Sequence, residues 1–245
     1  LADYITLNLG QTKTPYCYDN YYNPFTLITV SRTLLDLSLS GRVLDLYGNQ
    51  QGRDIGFWLN GVLHNAQERK ILEYTLGVFN GAGIAIADNN NQKDFGGAVR
   101  FSPFSDLWIS GRFYTGTGET IEFADVPTGR KRYGGDISYK RNKVLLEAEY
   151  LFGEDSSDSL GTLLRSGWYL TGGYWPIENK LQCTLRLDTF NGNLDVSDYN
   201  TFKYVAAANW FFTKFSRIQL EYSCSDVGGS TKNLHQFILQ LQAGF

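Results

Sequence analysis

The chain has 245 residues, with 22 Lys and Arg against 25 Asp and Glu, a formal charge of −3, 26 glycines, 5 prolines and 15% aromatic residues. No basic stripe stands out, which argues against nucleic-acid binding, and there is no phosphate loop, zinc-type cysteine pairing or glycine-rich dinucleotide fingerprint. No run approaches the roughly 20 apolar residues of a spanning helix; a membrane barrel hides its apolar surface in every second residue, so the slightly negative mean hydropathy does not exclude one.

A period-two template marks about twelve strands, starting with residues 3–11, 52–63, 70–79, 93–103, 106–116 and 130–140. The rest fall at 143–153, 164–175, 179–190, 200–212, 215–225 and 234–245. One parity is apolar or aromatic: Ile55, Phe57 and Leu59, then Leu72, Tyr74, Leu76 and Val78, then Phe95, Val99 and Phe101. It continues through Leu146 and Tyr150, Trp168, Leu170 and Tyr174, and ends in Phe237, Leu239, Leu241 and a terminal Phe245. The other parity carries Arg100, Arg112, Arg132, Asp136, Glu147, Glu149, Arg165, Arg186, Asp188, Lys203, Arg217 and Glu221. A soluble sandwich would show the same alternation turned inside out, so parity alone does not decide.

The connections decide. Short ones (Ser102–Ser105, Lys140–Lys143, Trp175–Lys180, Thr213–Lys214) alternate with long ones (after the first strand, Asn80–Gln92, Thr115–Gly129, Gly153–Leu163, Asn191–Asn200, Asp226–Asn233), with His64–Arg69 as the one rather long periplasmic turn. Tight periplasmic turns alternating with long extracellular loops are the rhythm of an outer-membrane barrel; a Greek-key sandwich has no reason to keep it. The expected fold is all-β, a transmembrane antiparallel up-and-down β-barrel forming a single domain over residues 1–245, with Tyr139, Tyr150, Trp168, Tyr174, Trp210, Phe212 and Tyr222 placed for aromatic girdles.

The connection over residues 12–52 is too long for an ordinary hairpin loop and, between Phe25 and Gly41, too apolar to stay disordered. It is expected to fold into the lumen and bring Arg32 and Arg42 toward the permeation path. Cys183 and Cys224 fall on strands separated by another, and Cys17 lies in the long connection. None has a histidine beside it in sequence or in expected register, so three free thiols without a catalytic role are expected. No basic-then-apolar leader is present, and the sequence reads as a mature chain.

Gly10-Gln-Thr-Lys-Thr-Pro15, Val30-Ser-Arg32 with Gly52-Arg-Asp-Ile-Gly56, Leu72 to Gly81, Gly173 to Gln182 and Arg186-Leu-Asp-Thr-Phe190 together resemble the phosphate-selective porin O and P family, in order along the whole chain. The resemblance implies a sixteen-stranded, usually trimeric barrel with an inward-folded loop at the constriction; the segment at Gly10 is similar to the family's fifth strand, so about four strands are expected to precede it. It also implies that Lys13, Arg32, Arg42 and Arg53 line the anion path, to which lumen parity adds Arg100, Arg112, Arg132, Arg165, Arg186, Lys203 and Arg217. Arg53 shares parity with Ile55 and reaches the pore only at the strand's mouth. Planar guanidinium donors match phosphate oxygens, and rings of Arg or Lys favour anions in pores. The same parity carries many carboxylates, so the lumen as a whole reads as mixed, and pairs such as Arg186 with Asp188 read as salt bridges within the wall.

The expected function is a passive porin for small hydrophilic, anionic, phosphate-like solutes, with outer-membrane lipid, lipopolysaccharide and small anions as partners in a homotrimer or an outer-membrane complex. No cofactor, metal or catalytic residue is expected. An accessory or structural barrel in a larger assembly is the alternative. A lipase-type barrel would need Ser and His together on the lipid face, and the two histidines, His64 and His235, are not so placed.

Overall fold

The computed structural model describes residues 4–21, 24–40, 52–85, 91–118 and 128–244. Arg42 and the terminal Phe245 lie outside them. Twelve antiparallel strands form one sheet in strict sequence order, with β1 (Thr6–Lys13) and β12 (Leu234–Gln242) at its edges. Between them run β2 (Arg53–His64), β3 (Lys70–Phe79), β4 (Asp94–Phe104), β5 (Leu107–Gly118), β6 (Thr128–Arg141) and β7 (Val144–Ser157). The remainder are β8 (Gly161–Ile177), β9 (Leu181–Asn191), β10 (Asn200–Phe211) and β11 (Arg217–Val227).

Every strand pairs with its sequence neighbours, which is up-and-down barrel topology. The outward parity is exposed and apolar from Leu9 on β1 through Phe57, Val99, Ile137, Leu170 and Leu220 to Leu239 on β12. Nothing but lipid tails suits such a surface, because a barrel wall in a bilayer satisfies its backbone between strands and presents carbon to the hydrocarbon. Aromatic side chains reinforce cross-strand register on this face: Tyr133 stacks on Phe152 at 4.9 Å and Tyr222 packs on Phe237 at 4.7 Å. On the short-turn side, Asn142 and Asn179 take positive φ of 50° and 58°, a left-handed conformation that Asn tolerates better than most residues.

Two readings of the sequence need correction. The stretch Gly153–Leu163 is not a long loop: β7 and β8 continue in register to Ser157 opposite Gly161, leaving only residues 158–160 to turn. Above the bilayer both faces of a hairpin are wet, so polarity stops marking the strand; Lys131 and Glu154 pair there on the outward parity at 2.9 Å. Likewise, Cys224 does have a histidine in register, since β11 and β12 place it opposite His235; the imidazole Nδ1 instead bonds the Tyr222 hydroxyl at 2.8 Å. Cys17, Cys183 and Cys224 are all free.

The inward face is covered by the segment between β1 and β2. It leaves the long-loop end at Thr14, makes a short helix α1 (Tyr18–Tyr21), and at Phe25 meets Arg217, the first residue of β11 on the short-turn side. It then returns past Glu221 to a second short helix, α2 (Leu34–Leu39), capped by the Thr33 hydroxyl, which accepts from the Asp36 amide at 3.2 Å. Leu35 and Leu39 of α2 are fully buried with Tyr16, Cys17, Leu151 and Tyr169. Glycine makes the seat. A Cβ on Gly167 would collide with the Thr189 carbonyl oxygen and stand 2.6 Å from Leu35 Cδ2, and one on Gly153 would stand 2.8 Å from Leu39 Cδ2, so a side chain at either place would press on the leucines of the helix.

Candidate functional site: the lumen

Charges of the inward parity fall into three groups. The first is buried wall ion pairs: across strands, Arg112 with Asp136 at 2.5 Å, and Arg132 and Arg165 sharing Asp155 at 2.8 and 2.6 Å; along β9, Arg186 with Asp188 at 2.8 Å. Each guanidinium here has a carboxylate against it, shared in the case of Arg132 and Arg165, which repays part of the cost of taking it out of water.

The second group is carboxylates that hold the inward segment by its backbone. Glu149 of β7 accepts from the Tyr18 amide at 2.8 Å and from the Cys17 thiol at 3.5 Å. Asp188 of β9 accepts from the Leu34 amide at 3.3 Å, and Glu221 of β11 accepts from the amides of Val30 at 2.6 Å and Ser31 at 3.1 Å. Glu147 accepts from the Tyr18 hydroxyl at 2.9 Å. Hydrogen bonds to charged acceptors in a site of low dielectric are among the stronger ones. Arginine answers from the same wall: Arg186 donates to the Thr29 hydroxyl at 2.5 Å and to the carbonyls of Ser31 at 2.9 Å and Arg32 at 3.0 Å. Burial, together with the carboxylates of Glu149, Asp36 and Asp19, pushes the Cys17 thiol well above its ordinary value, so it stays protonated and donates.

The third group borders open space. A cavity of about 710 Å³ lies between the tip of the inward segment and the short-turn end of the wall. The segment contributes Phe25, Leu27 and Ile28; the wall contributes Trp175, Gln182 and Phe211, and the cations Lys140, Arg186, Lys214 and Arg217. Asp19 and Glu147 are its acids, and both are engaged, Asp19 by the Thr33 amide at 3.0 Å and Glu147 by Tyr18 at 2.9 Å.

Of the residues singled out from sequence, Arg186 lines this cavity. Arg32 sits beside it on the inward segment, pairs with Asp36 at 3.2 Å and donates to the Asp19 carbonyl. Arg112 is buried against Asp136 with its guanidinium 5.9 Å from the ring centres of both Tyr18 and Tyr21. Lys13 and Arg53 are cross-strand partners at the long-loop end of β1 and β2, on the same parity as outward Ile55. Arg217 belongs to the lumen parity read from the sequence, whereas Lys140 and Lys214 are not assigned to the anion path there. Their shared signal was a cation at the short-turn end with an aromatic residue close in sequence or register.

Solved structures resemble this wall. The anion-selective porin from Comamonas acidovorans aligns at TM-score 0.70 and 12% identity, over 96% of this chain and 72% of that one. The in-vitro folded trimer form of OmpT of Vibrio cholerae aligns at 0.61 and 12%, over 98% and 74%, and the outer membrane channel DcaP of Acinetobacter baumannii at 0.56 and 11%, over 96% and 70%. At such identities the likeness is one of fold. No curated protein sequence matches. The family model for phosphate-selective porins O and P matches residues 1–245, and with the apolar outer wall and charged lumen described above, the chain belongs to that family of bacterial outer-membrane porins.

Proposed function

We propose that the protein passes small hydrophilic anions, phosphate-like solutes among them, by passive diffusion through a lumen narrowed by the connection over residues 12–52. The observation that carries this reading is how the lumen carboxylates are used. Glu149, Asp188 and Glu221 are bound to the backbone of the inward segment, and Asp136 and Asp155 are bound to arginines, whereas the cavity lining holds Lys140, Lys214 and Arg217 with no carboxylate at ion-pair distance among the described residues. Rings of Arg and Lys at a narrow, poorly screened point favour anions. The mixed composition of the lumen is therefore compatible with an anion path. Lys13, Arg32, Arg42, Arg53, Arg112 and Arg186 remain the positions proposed for that path, with Arg42 outside the described residues. Similarity to a porin described as anion-selective supports the anion preference, and similarity to one described in a trimer form supports a homotrimer, with lipid and lipopolysaccharide against its outer wall.

The test is a reversal potential in a KCl gradient across planar bilayers. The native protein is expected to give the sign of preferred chloride flux, and inorganic phosphate is expected to reduce the chloride current. Arg32→Glu with Arg42→Glu is expected to abolish or invert the preference. A native protein that prefers potassium, or a double variant with an unchanged reversal potential, would overturn the assignment.

A further inference from the structure

We infer that the cavity at the short-turn end of the lumen is a binding site for an organic anion with a flat apolar body, an aryl carboxylate, sulfonate or phosphate in chemical class. The inference rests on the reading of the protein as an anion-passing porin and adds to it what the anion must carry besides its charge.

The lumen of a porin is a water-filled, polar space. Here the inward segment places Phe25, Leu27 and Ile28 along one side of the cavity, and the wall places Leu145, Trp175 and Phe211 along the rest. Hydrated phosphate gains nothing from such a lining. A ring that displaces water from it does, since removing apolar surface from water is the general driving force for ligands in pockets of this size.

The charges sit where an anionic substituent of that ring would need them. Lys140 Nζ lies 5.5 Å from the centre of the Trp175 ring, and Arg217 Cζ lies 5.6 Å from that of Phe211, so each cation borders an aromatic surface. Among the described residues no carboxylate lies within ion-pair distance of Lys140, Lys214 or Arg217; Arg217 is held by neutral acceptors, Gln242 Oε1 at 3.0 Å and the Phe25 carbonyl at 3.2 Å. The wall cations elsewhere in the lumen, such as Arg112 and Arg186, are paired with aspartates. Gln182, buried at the same cavity, has its side-chain oxygen bound by Asn209 at 3.1 Å while its Nε2 has no partner in the protein, leaving a further donor. Three cations with no carboxylate at ion-pair distance among the described residues, apolar side chains on two sides and an unused amide donor together describe an amphiphilic anion, with Glu147 the one acid of the lining that acts on Lys140 from further off.

The experiment compares 2-naphthalenesulfonate with methanesulfonate, two anions of equal charge, as blockers of the chloride current through the native protein. Naphthalenesulfonate is expected to half-block at a concentration lower by about tenfold or more, the scale of one aromatic and one cation contact. Lys140→Gln with Lys214→Gln, and separately Trp175→Leu, are expected to erase most of that difference between the two anions. Equal half-blocking concentrations for the two anions in the native protein, or an aryl preference untouched by both variants, would overturn the inference and leave the anion-porin reading standing. A native protein that does not prefer chloride would remove that reading and this one with it.

Discussion

The two faces of one sheet are built on opposite terms. The outer face needs only to be apolar at every second position: Leu170, for example, stands opposite Ala148 and Leu187 and would serve as well if it were Ile or Phe. The inner face is particular. Arg112 needs Asp136, Glu221 needs the amides of Val30 and Ser31, and Leu35 needs Gly167 to have no side chain. A uniform solvent selects a residue class, whereas a packed lumen selects individual partners, and substitutions should respond accordingly.

The largest effect is expected on the inner face. Asp136→Asn removes the countercharge bonded to a buried guanidinium and should destabilise the protein by about 3–5 kcal/mol, read as a shift in the urea midpoint of folded protein in detergent. A change no larger than that of an exposed loop substitution would mean that the lumen is wet enough to solvate Arg112. On the outer face, Leu170→Arg should cost about 2–4 kcal/mol at bilayer mid-depth, while Leu170→Phe should cost little. Equal costs for the two would break the claim that this face is chosen by class alone.

A smaller and more local loss, about 1–3 kcal/mol, is expected for Glu221→Ala, which leaves the amides of Val30 and Ser31 without their acceptor. Its sharper readouts are a raised single-channel conductance and faster alkylation of Cys17. In the native protein that thiol is buried and its pKa is raised by burial and by Glu149, Asp36 and Asp19, so labelling at pH 8 should be slow and only weakly accelerated at pH 9. Mass spectrometry showing Cys17 labelled in the native barrel as fast as in urea would place the segment away from the wall.

The same contrast explains what could be read from sequence. The outer face is written in period two, so the strands, their order and the membrane-facing parity were legible from residues such as Phe57, Val99, Tyr174 and Leu239. Where β7 and β8 rise above the lipid, Glu154 through Ser157 look like a loop because water on both faces erases the alternation, and the strands were cut short. Inner-face partners were not legible, because they depend on offsets between distant strands: Cys224 meets His235, and Glu149 meets Tyr18, only once register is set. Arg186 with Asp188 was legible because two inward neighbours on one strand need no register. The cavity cations Lys140 and Lys214 looked like ordinary residues beside turns, since nothing in their own strands announces that Phe25 arrives from far along the chain.

That arrival fixes an order of events during folding. Val30 is held by Glu221, a carboxylate 191 residues further on, and Tyr18 by Glu149, 131 residues further on. Contacts of such separation form late, because the intervening chain must first be ordered. The part of the segment near Val30 therefore cannot take its final place before β11 is ordered, and until then its amides and the Glu221 carboxylate keep their water.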